Sequence, residues 1–367
     1  MSDITISSTT PPVVAYHNSA AGKSAEASNK FDRYEITDAK LVNRLEKEMN
    51  SNDYFCFSHA NSDTGIRALA QEIRLRRDLL LTEAKEYFNH WTPSSREVPN
   101  VHNTQEMIGE TTKAGNGMVF ASNGETKQCH QFLIKNMQAF ADAGVKTLYM
   151  EHLIRELHQD YLDAYADPAH AIPDELASYL DDLTRKYNRH VSNDEQRLPE
   201  NSFRQVVEAA HQAGINIVAI GCAATALKEE TYMPANRQNA YLPGDNADHF
   251  DHPAMQNFYA SRVIEHYQQQ HNSGKFIALT GISHLNTTTF GEEPALQAGF
   301  TSRYGPSLPQ VAGIAELTAS FSVLITKGDS ADGNNHAFRG QTIEVAGRGS
   351  NNYPLYSKFT PDLIQEV

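Results

Sequence analysis

The sequence predicts an α/β fold, a mostly parallel sheet covered by helices and preceded by an N-terminal helical module. Three observations predict it. From about residue 117, apolar runs of strand length alternate with longer amphipathic segments of helical period. Glycines such as Gly144 and Gly214 stand where a helix stops and the next strand begins. Before residue 115 the pattern is helical only. Alternating strands and helices bury their apolar faces most simply as a parallel sheet with helices on it.

Residues 1–30 are rich in Ser, Thr and Ala, carry Pro11-Pro12 and show no sustained period, so they read as a flexible leader. From about Asp38 the pattern turns helical, first in LVNRLEKEMN and then in the long run from Asp63 to Trp91. Ile66, Leu69, Ile73, Leu80, Leu81 and Ala84 recur there at three-to-four spacing, and Arg74, Arg76 and Arg77 take the other face. After Pro93 a polar stretch to about Gly115 reads as a linker. Residues 31–115 are thus the helical module and linker, and 116–367 the α/β body.

In the body, GMVFAS, VKTLYME, INIVAIGC and KFIALTGIS read as strands. Between them lie helices CHQFLIKNMQAFADAG, the stretch from Ile154 to Lys186, SFRQVVEAAHQAG and MQNFYASRVIEHYQQQHN. ASFSVLITK and QTIEVAG read as two closing strands. No GxGxxG or GxxxxGK[ST] follows the first strand, which disfavours nucleotide binding through those loops.

Composition narrows the function. The chain has 367 residues, 40% of them hydrophobic, enough for one large or two small domains. Forty-five acidic against 31 basic residues leave a formal charge of −14, which excludes a general nucleic-acid binder. No run approaches the roughly 20 apolar residues of a membrane-spanning helix, so any membrane contact is at the surface. Arg74, Arg76 and Arg77 are the residues for such contact, or a solvated helix face. The three cysteines, Cys56, Cys129 and Cys222, leave at least one thiol unpaired, and their spacing is neither a metal knuckle nor a disulfide framework. With no secretory signal pattern at the N-terminus, a reducing, cytosolic workplace is expected.

Sites in α/β sheets gather beyond the carboxyl ends of the strands. Asn123 to His130 follow the first strand, Glu151-His152 the second, Gly221-Cys222 the third and Gly281-Ile282-Ser283-His284 the fourth. Cys129 lies near a predicted helix N-terminus after Lys127, a setting that favours thiolate; the alternative is a thiol packed under the helix. Cys56 and Cys222 lie in apolar surroundings and read as buried. His284, in a GxxH turn, suits a general base, a metal ligand or a loop cap. Glu151 ends an apolar strand and needs a partner, for which Arg262 is one choice. His59 precedes the long helix and is a reserve base. The run Asp245, Asp248, His249, Asp251, His252 reads as a solvated acidic loop rather than a metal site.

These segments also carry a resemblance. QFLIKNMQAFADAGVKTLYMEHLIRELHQDYLDAY, GINIVAIGCAAT, NFYASRVI, FIALTGISHLNT and VAGIAELTASFSVLI, within residues 117–326, resemble a domain of large bacterial toxins. The likeness is to the toxin branch of the superfamily that includes the Tiki proteases, erythromycin esterases and ChaN haem-binding proteins, which the chain resembles. The chain is most similar there to the "makes caterpillars floppy"-like and domain X effectors of multifunctional autoprocessing toxins. The resemblance implies toxin cargo secreted by a bacterium and acting in the host cytosol on Golgi and endomembrane traffic. It implies a cysteine peptidase that cuts its own leader after binding a host ADP-ribosylation factor GTPase, with other host small GTPases as substrates. Those effectors carry Arg-Cys-Asp or Arg-Cys-Tyr where this chain has Gln128-Cys129-His130. Metal-using relatives carry an early Gly-Glu-x-His; here Gly124-Glu125 meets no histidine before His130, which favours thiol chemistry with no cofactor.

In the thiol reading Cys129 attacks a peptide carbonyl, His284 or else His59 moves the proton, and Glu151 orients the histidine. Leader cleavage is expected close to Lys23. A metal-dependent hydrolase or esterase using Glu125, Glu151, His284 and His130 is the second reading. A non-enzymatic module that sequesters a GTPase is the third.

Overall fold

The computed structural model describes residues 31, 33–50, 64–92, 96–122, 126–187, 202–226, 247–271, 274–292, 310–327, 336–340, 343–348 and 354–367. The expected leader, its cleavage position near Lys23, His59 and Glu125 all lie outside these residues.

Helices α1 (Ala39–Asn50) and α2 (Thr64–His90) open the described chain. The stretch expected as a linker instead holds α3 (Thr104–Ala114). Asn103 caps it by accepting from the Glu106 amide, and Glu106 returns a carboxylate to the His102 amide, both at 3.0 Å. The polar composition of this segment marks a cap; Met107, Ile108, Thr111 and Thr112 are its buried face.

Strand β1 (Gly117–Ser122) leads through α4 (Thr126–Asp142) to β2 (Val145–Ile154). Helices α5 (Arg155–Tyr165), α6 (Asp174–Tyr187) and α7 (Phe203–Gln212) then lead to β3 (Asn216–Gly221). After the single turn α8 (Ala223–Ala226), α9 (Ala247–His271) returns the chain to β4 (Lys275–Leu279). A tight turn, Ile282–His284, precedes β5 (Thr288–Glu292), β6 (Gln310–Val311), α10 (Ile314–Leu317) and β7 (Phe321–Thr326). The last strands are β8 (Ala337–Arg339), β9 (Ile343–Arg348), β10 (Pro354–Phe359) and β11 (Leu363–Glu366). Gly144 and Gly214 sit at φ +92° and +68°, the left-handed conformation expected where each helix ends.

The main sheet runs β3-β2-β4-β1-β7-β11-β8, parallel throughout except at β8. Of the two closing strands expected, ASFSVLITK supplies β7 of this sheet. QTIEVAG supplies β9 of a separate antiparallel sheet, β6-β5-β10-β9.

Alternation along each strand feeds two cores. Met118 and Phe120 of β1 pack with Leu133, Phe140, Val206 and Phe203 from α4 and α7. Val119 and Ala121 face the other side, where Met255, Tyr259 and Val263 of α9 meet Leu80 and Ala84 of α2. The far half of α2 packs Leu69 and Ile73 with Leu45 of α1 and Leu157 of α5. Arg77, expected on the solvent face, is buried.

The chain steps outward from β1 to β2 and β3, then returns to place β4 between β2 and β1. That reversal of strand order sets the carboxyl ends of β2 and β4 side by side, α5 following the one and the Ile282–His284 turn the other.

Candidate active site

The end of β2 is irregular. Its register against β3 shifts between Met150 and Ile154. Gly221 makes room for the shift, since a methyl group there would stand 2.5 Å from the Glu151 carbonyl oxygen and 2.9 Å from that of Leu153. Tyr179 donates to the His152 carbonyl at 2.8 Å, and the Ile154 amide donates to His158 Nδ1 at 2.9 Å. His158 is buried and held neutral, its imidazole lowered to about 3 by desolvation. The strand end that carries Glu151 and His152 is thus braced from α5 and α6.

Glu151 is the central group. Its Oε1 accepts from the Gly281 amide at 2.7 Å, while Oε2 is buried with no hydrogen-bond partner among the described residues. Burial raises the carboxyl to about 8, against a smaller opposing effect of the Gly281 bond, so at neutral pH it holds a proton. The nearest cationic candidate, His152 Nε2, lies 4.0 Å from Oε1.

His284 stands beside it. A methyl group on Gly281 would be 3.0 Å from Glu151 Oε1 and 3.5 Å from His284 Cδ2, so glycine leaves room for both side chains beside the turn. His284 Nδ1 lies 2.7 Å from Asn257 Oδ1, and Asn257 Nδ2 donates to the Ala312 carbonyl at 2.8 Å. The second bond fixes the amide: its nitrogen faces a carbonyl, so its oxygen faces the imidazole. An amide oxygen only accepts, hence Nδ1 carries the hydrogen and Nε2 carries the lone pair. Burial, with His252 and His152 nearby, lowers His284 to about 3 and keeps that lone pair available. His252 joins from α9, its Nε2 donating to the Thr225 carbonyl at 2.6 Å and its ring 5.8 Å from that of His284.

The carboxyl ends of β2 and β4 therefore carry a protonated carboxyl and a neutral imidazole of defined tautomer on either side of Gly281. That combination can take a proton at one atom and give one at another. Asn257, His152 and His252 complete it. Sequence reasoning left Asn257 out and put His252 in a solvated loop. The signal available for Asn257 was a polar Gln-Asn pair inside the otherwise apolar run of α9.

Other expected residues fall elsewhere. Cys129 is the fourth residue of α4, but its side chain points into the core with Phe132 and Leu133 and is 1% exposed. Desolvation pushes the thiol far above its ordinary range, so of the two readings of this position it is the packed thiol that the fold holds. Burial outweighs the helix-terminus effect, and among the described residues the sulfur makes no hydrogen bond to an imidazole. His130 is also buried, its ring 4.2 Å from Phe203, which in turn lies 4.7 Å from the ring of His152. Arg262, expected opposite Glu151, instead pairs with Glu265 at 2.7 Å and lies 4.4 Å over the Tyr87 ring. Cys222 is buried as expected. Among the described residues no three His, Cys, Asp or Glu side chains converge as a metal site.

A second buried network lies behind β2. Arg155 meets Glu35 at 3.0 Å, and Tyr259 donates to the same carboxylate oxygen at 2.6 Å. Glu156 accepts from the amides of Ala223 (3.0 Å) and Ile36 (3.4 Å), and burial together with Glu35 raises it to about 8. These contacts fasten Glu35 and Ile36 to the carboxyl ends of β2 and β3.

No family model matches the chain, and none of the curated proteins does. Among solved structures it is similar to RRSP, an effector domain of a MARTX toxin from Vibrio vulnificus CMCP6. The two share 17% identity over 80% of this chain and 44% of that one, with a TM-score of 0.39. It is similar to the C-terminal region of Pasteurella multocida toxin, described as having a thiol-protease like catalytic triad. There the identity is 14% over 88% and 31% of the two chains, with a TM-score of 0.39. It is also similar to the type III effector HopBA1, with 10% identity over 71% and 97% and a TM-score of 0.38. The chain spans less than half the length of the first two.

Proposed function

We propose that the chain is a hydrolytic effector domain of bacterial-toxin type whose reaction centre is formed by Glu151 and His284 at the carboxyl ends of β2 and β4. The observation that carries this is the pairing of a buried, proton-holding carboxyl with an imidazole whose free lone pair is set by Asn257. In this reading His284 Nε2 accepts a proton from water as the water oxygen attacks the scissile carbonyl. Glu151 gives its proton to the departing group and ends as carboxylate; proton return from His284 resets the pair. The Gly281 amide holds Glu151 in place throughout.

The toxin context, a peptide bond as substrate, leader processing and a host ADP-ribosylation factor GTPase as partner rest on the LYMEHL and GISHLNT segments and the resemblance they carry. Action at host Golgi and endomembranes follows from the same resemblance. The acid–base reading differs from the thiol reading in which side chains are indispensable.

The test is to mix the full chain with a GTP-loaded ADP-ribosylation factor and follow the N-terminus by intact mass. Leader loss retained in Cys129→Ala and abolished in Glu151→Gln and His284→Ala is the expected result. Loss abolished in Cys129→Ala alone would return the chemistry to the thiol. Inhibition by chelator, restored by added divalent metal, would instead favour the metal-dependent reading.

A further inference from the structure

His284 is held from one short stretch of chain, residues 312–316, that takes no part in the proposed reaction itself. The chain passes from His284 into β5, and β5 pairs with β6 so that Thr288 faces Val311 and Thr289 faces Gln310. Residues 284–287 and 312–316 therefore continue the two arms of one antiparallel pair, and its register carried onward sets Gly313 opposite Asn286. The contacts between the arms are close. The Ala312 carbonyl accepts from Asn257 Nδ2 at 2.8 Å, the bond that turns the Asn257 oxygen toward His284. The Ala315 amide donates to the Leu285 carbonyl at 3.2 Å. The Thr287 amide donates to Glu316 Oε1 at 2.8 Å, and Glu316 Oε2 accepts from the Gly313 amide at 3.1 Å. Backbone meets backbone at Gly313, where a methyl group would stand 2.0 Å from the Asn286 Cα.

We infer that Gly313 and Glu316 are positioning residues for the reaction centre: together they hold the turn that carries His284, and with it the direction of its lone pair. This role rests on the hydrolase reading proposed above and deepens it. Gly313 lies at φ −80° and ψ 167°, extended backbone that any residue adopts, so conformation does not call for glycine there. Space does. Asn286 is itself fixed, since its side chain donates to the Thr360 carbonyl and Leu285 beside it is fully buried. A side chain at 313 must therefore displace the turn that carries His284. Glu316 acts from the far end of the same stretch. Its one carboxylate accepts from an amide on each arm, Thr287 and Gly313, and so sets the spacing between them. Ile314 and Ala315 are fully buried in the core with Leu285 and Met255, which gives the stretch a fixed seat. Because residues 312–316 hold both His284 and the amide that orients it, a shift there moves the base and releases its tautomer together. A misplacement of about 1 Å can cost about a hundredfold in rate.

The experiment uses the full chain as wild type, Glu316→Gln and Gly313→Ala, each shown to be folded by circular dichroism and urea unfolding. Glu316→Gln is close to isosteric and keeps one acceptor oxygen, but its NH2 group cannot accept from the second amide. The first measurement needs no turnover: ¹⁵N NMR of the His284 ring, its signals assigned by their loss in His284→Ala. Both variants are expected to lose the single Nδ1–H form and to protonate about one pH unit or more above wild type, as the ring leaves Asn257 and its buried seat. The second is leader loss with GTP-loaded ADP-ribosylation factor, followed by intact mass over a range of partner concentrations. The maximal rate is expected to fall about tenfold in Glu316→Gln and about a hundredfold in Gly313→Ala, with the half-saturating partner concentration within about twofold of wild type. Wild-type ring signals in the folded variants, or wild-type maximal rates, would overturn the assignment. If Gly313→Ala does not fold, Glu316→Gln decides alone. Absence of leader loss in wild type would instead sink the hydrolase reading, and the ring signals would still decide whether Gly313 and Glu316 position His284.

Discussion

Glu151 is expected to hold its proton in the folded chain and lose it on unfolding, and this has a measurable consequence without any substrate. The carboxyl is raised from an ordinary 4.5 to about 8. Between those values the unfolded chain has released the proton and the folded chain has not, so folding takes up one proton. Stability from this group is therefore greatest below about pH 4.5, falls as pH rises, and levels off above about 8. The full effect is bounded at roughly 5 kcal/mol, and the slope at about 1.4 kcal/mol per pH unit. Glu156, also raised to about 8, acts with the same sign. His284 and His158, lowered to about 3, act oppositely and only as pH falls below about 6.5. Comparing wild type with Glu151→Gln cancels all three. Glutamine keeps an acceptor for the Gly281 amide and cannot ionise, so it moves the stability curve vertically and removes one proton's worth of slope. Between pH 6 and 7.5 the variant should gain about 2 kcal/mol on wild type. Urea unfolding at several pH values reads this directly, with Glu156→Gln as a second single-proton change. Parallel curves for wild type and Glu151→Gln would mean that the carboxyl is already ionised at pH 6, and the proton-donor role would fail.

Three further outcomes follow from the geometry. Cys129→Ser should lower stability by about 1–3 kcal/mol because it buries a hydroxyl in the place of a thiol, with Cys129→Ala costing less; rapid native-state alkylation of Cys129 would contradict the burial. Asn257→Asp should raise the pH at which His284 protonates, since a carboxylate at Nδ1 favours the imidazolium; ¹⁵N NMR of the ring reports both this and the wild-type tautomer, and an Nε2–H tautomer in wild type would refute the assignment. Arg155→Met should cost about 3–5 kcal/mol in thermal or urea unfolding, because it leaves the Glu35 carboxylate buried beside Tyr259 without its cation.

The body of the fold was legible because its strands are apolar runs buried on both faces and its crossover helices are amphipathic. Both properties are local, as are the glycine stops after α4 and α7. The helix at 104–114 was missed where a polar stretch was read as linker, although Asn103 and Glu106 stand at cap spacing. The split of the last strands between two sheets was not legible, since pairing partners are chosen by tertiary contact rather than by propensity.

The site divides along the same line. Glu151 and His284 could be set on one edge from the sequence because a parallel sheet places whatever follows each strand there, and chain order then suffices. Cys129 passed the same test yet lies in the core, because strand-end position says where a residue is along the helix and not which way it faces. The second question had its own local evidence. Cys129, Phe132, Leu133, Met137 and Phe140 repeat at helical spacing and are all buried, while Lys127, Gln131 and Lys135 occupy the opposite stripe, where they line a cavity. One helix thus presents a thiol to the core and lysines to its other face, and its periodicity separates the two before any fold is known. Asn257 and His252 are the converse case. They lie in sequence far from every strand end, on a helix crossing the opposite face of the sheet, and only its packing over β4 brings them to His284. A site assembled from strand ends is readable in order along the chain; the groups that set its protonation come from helices, and are not.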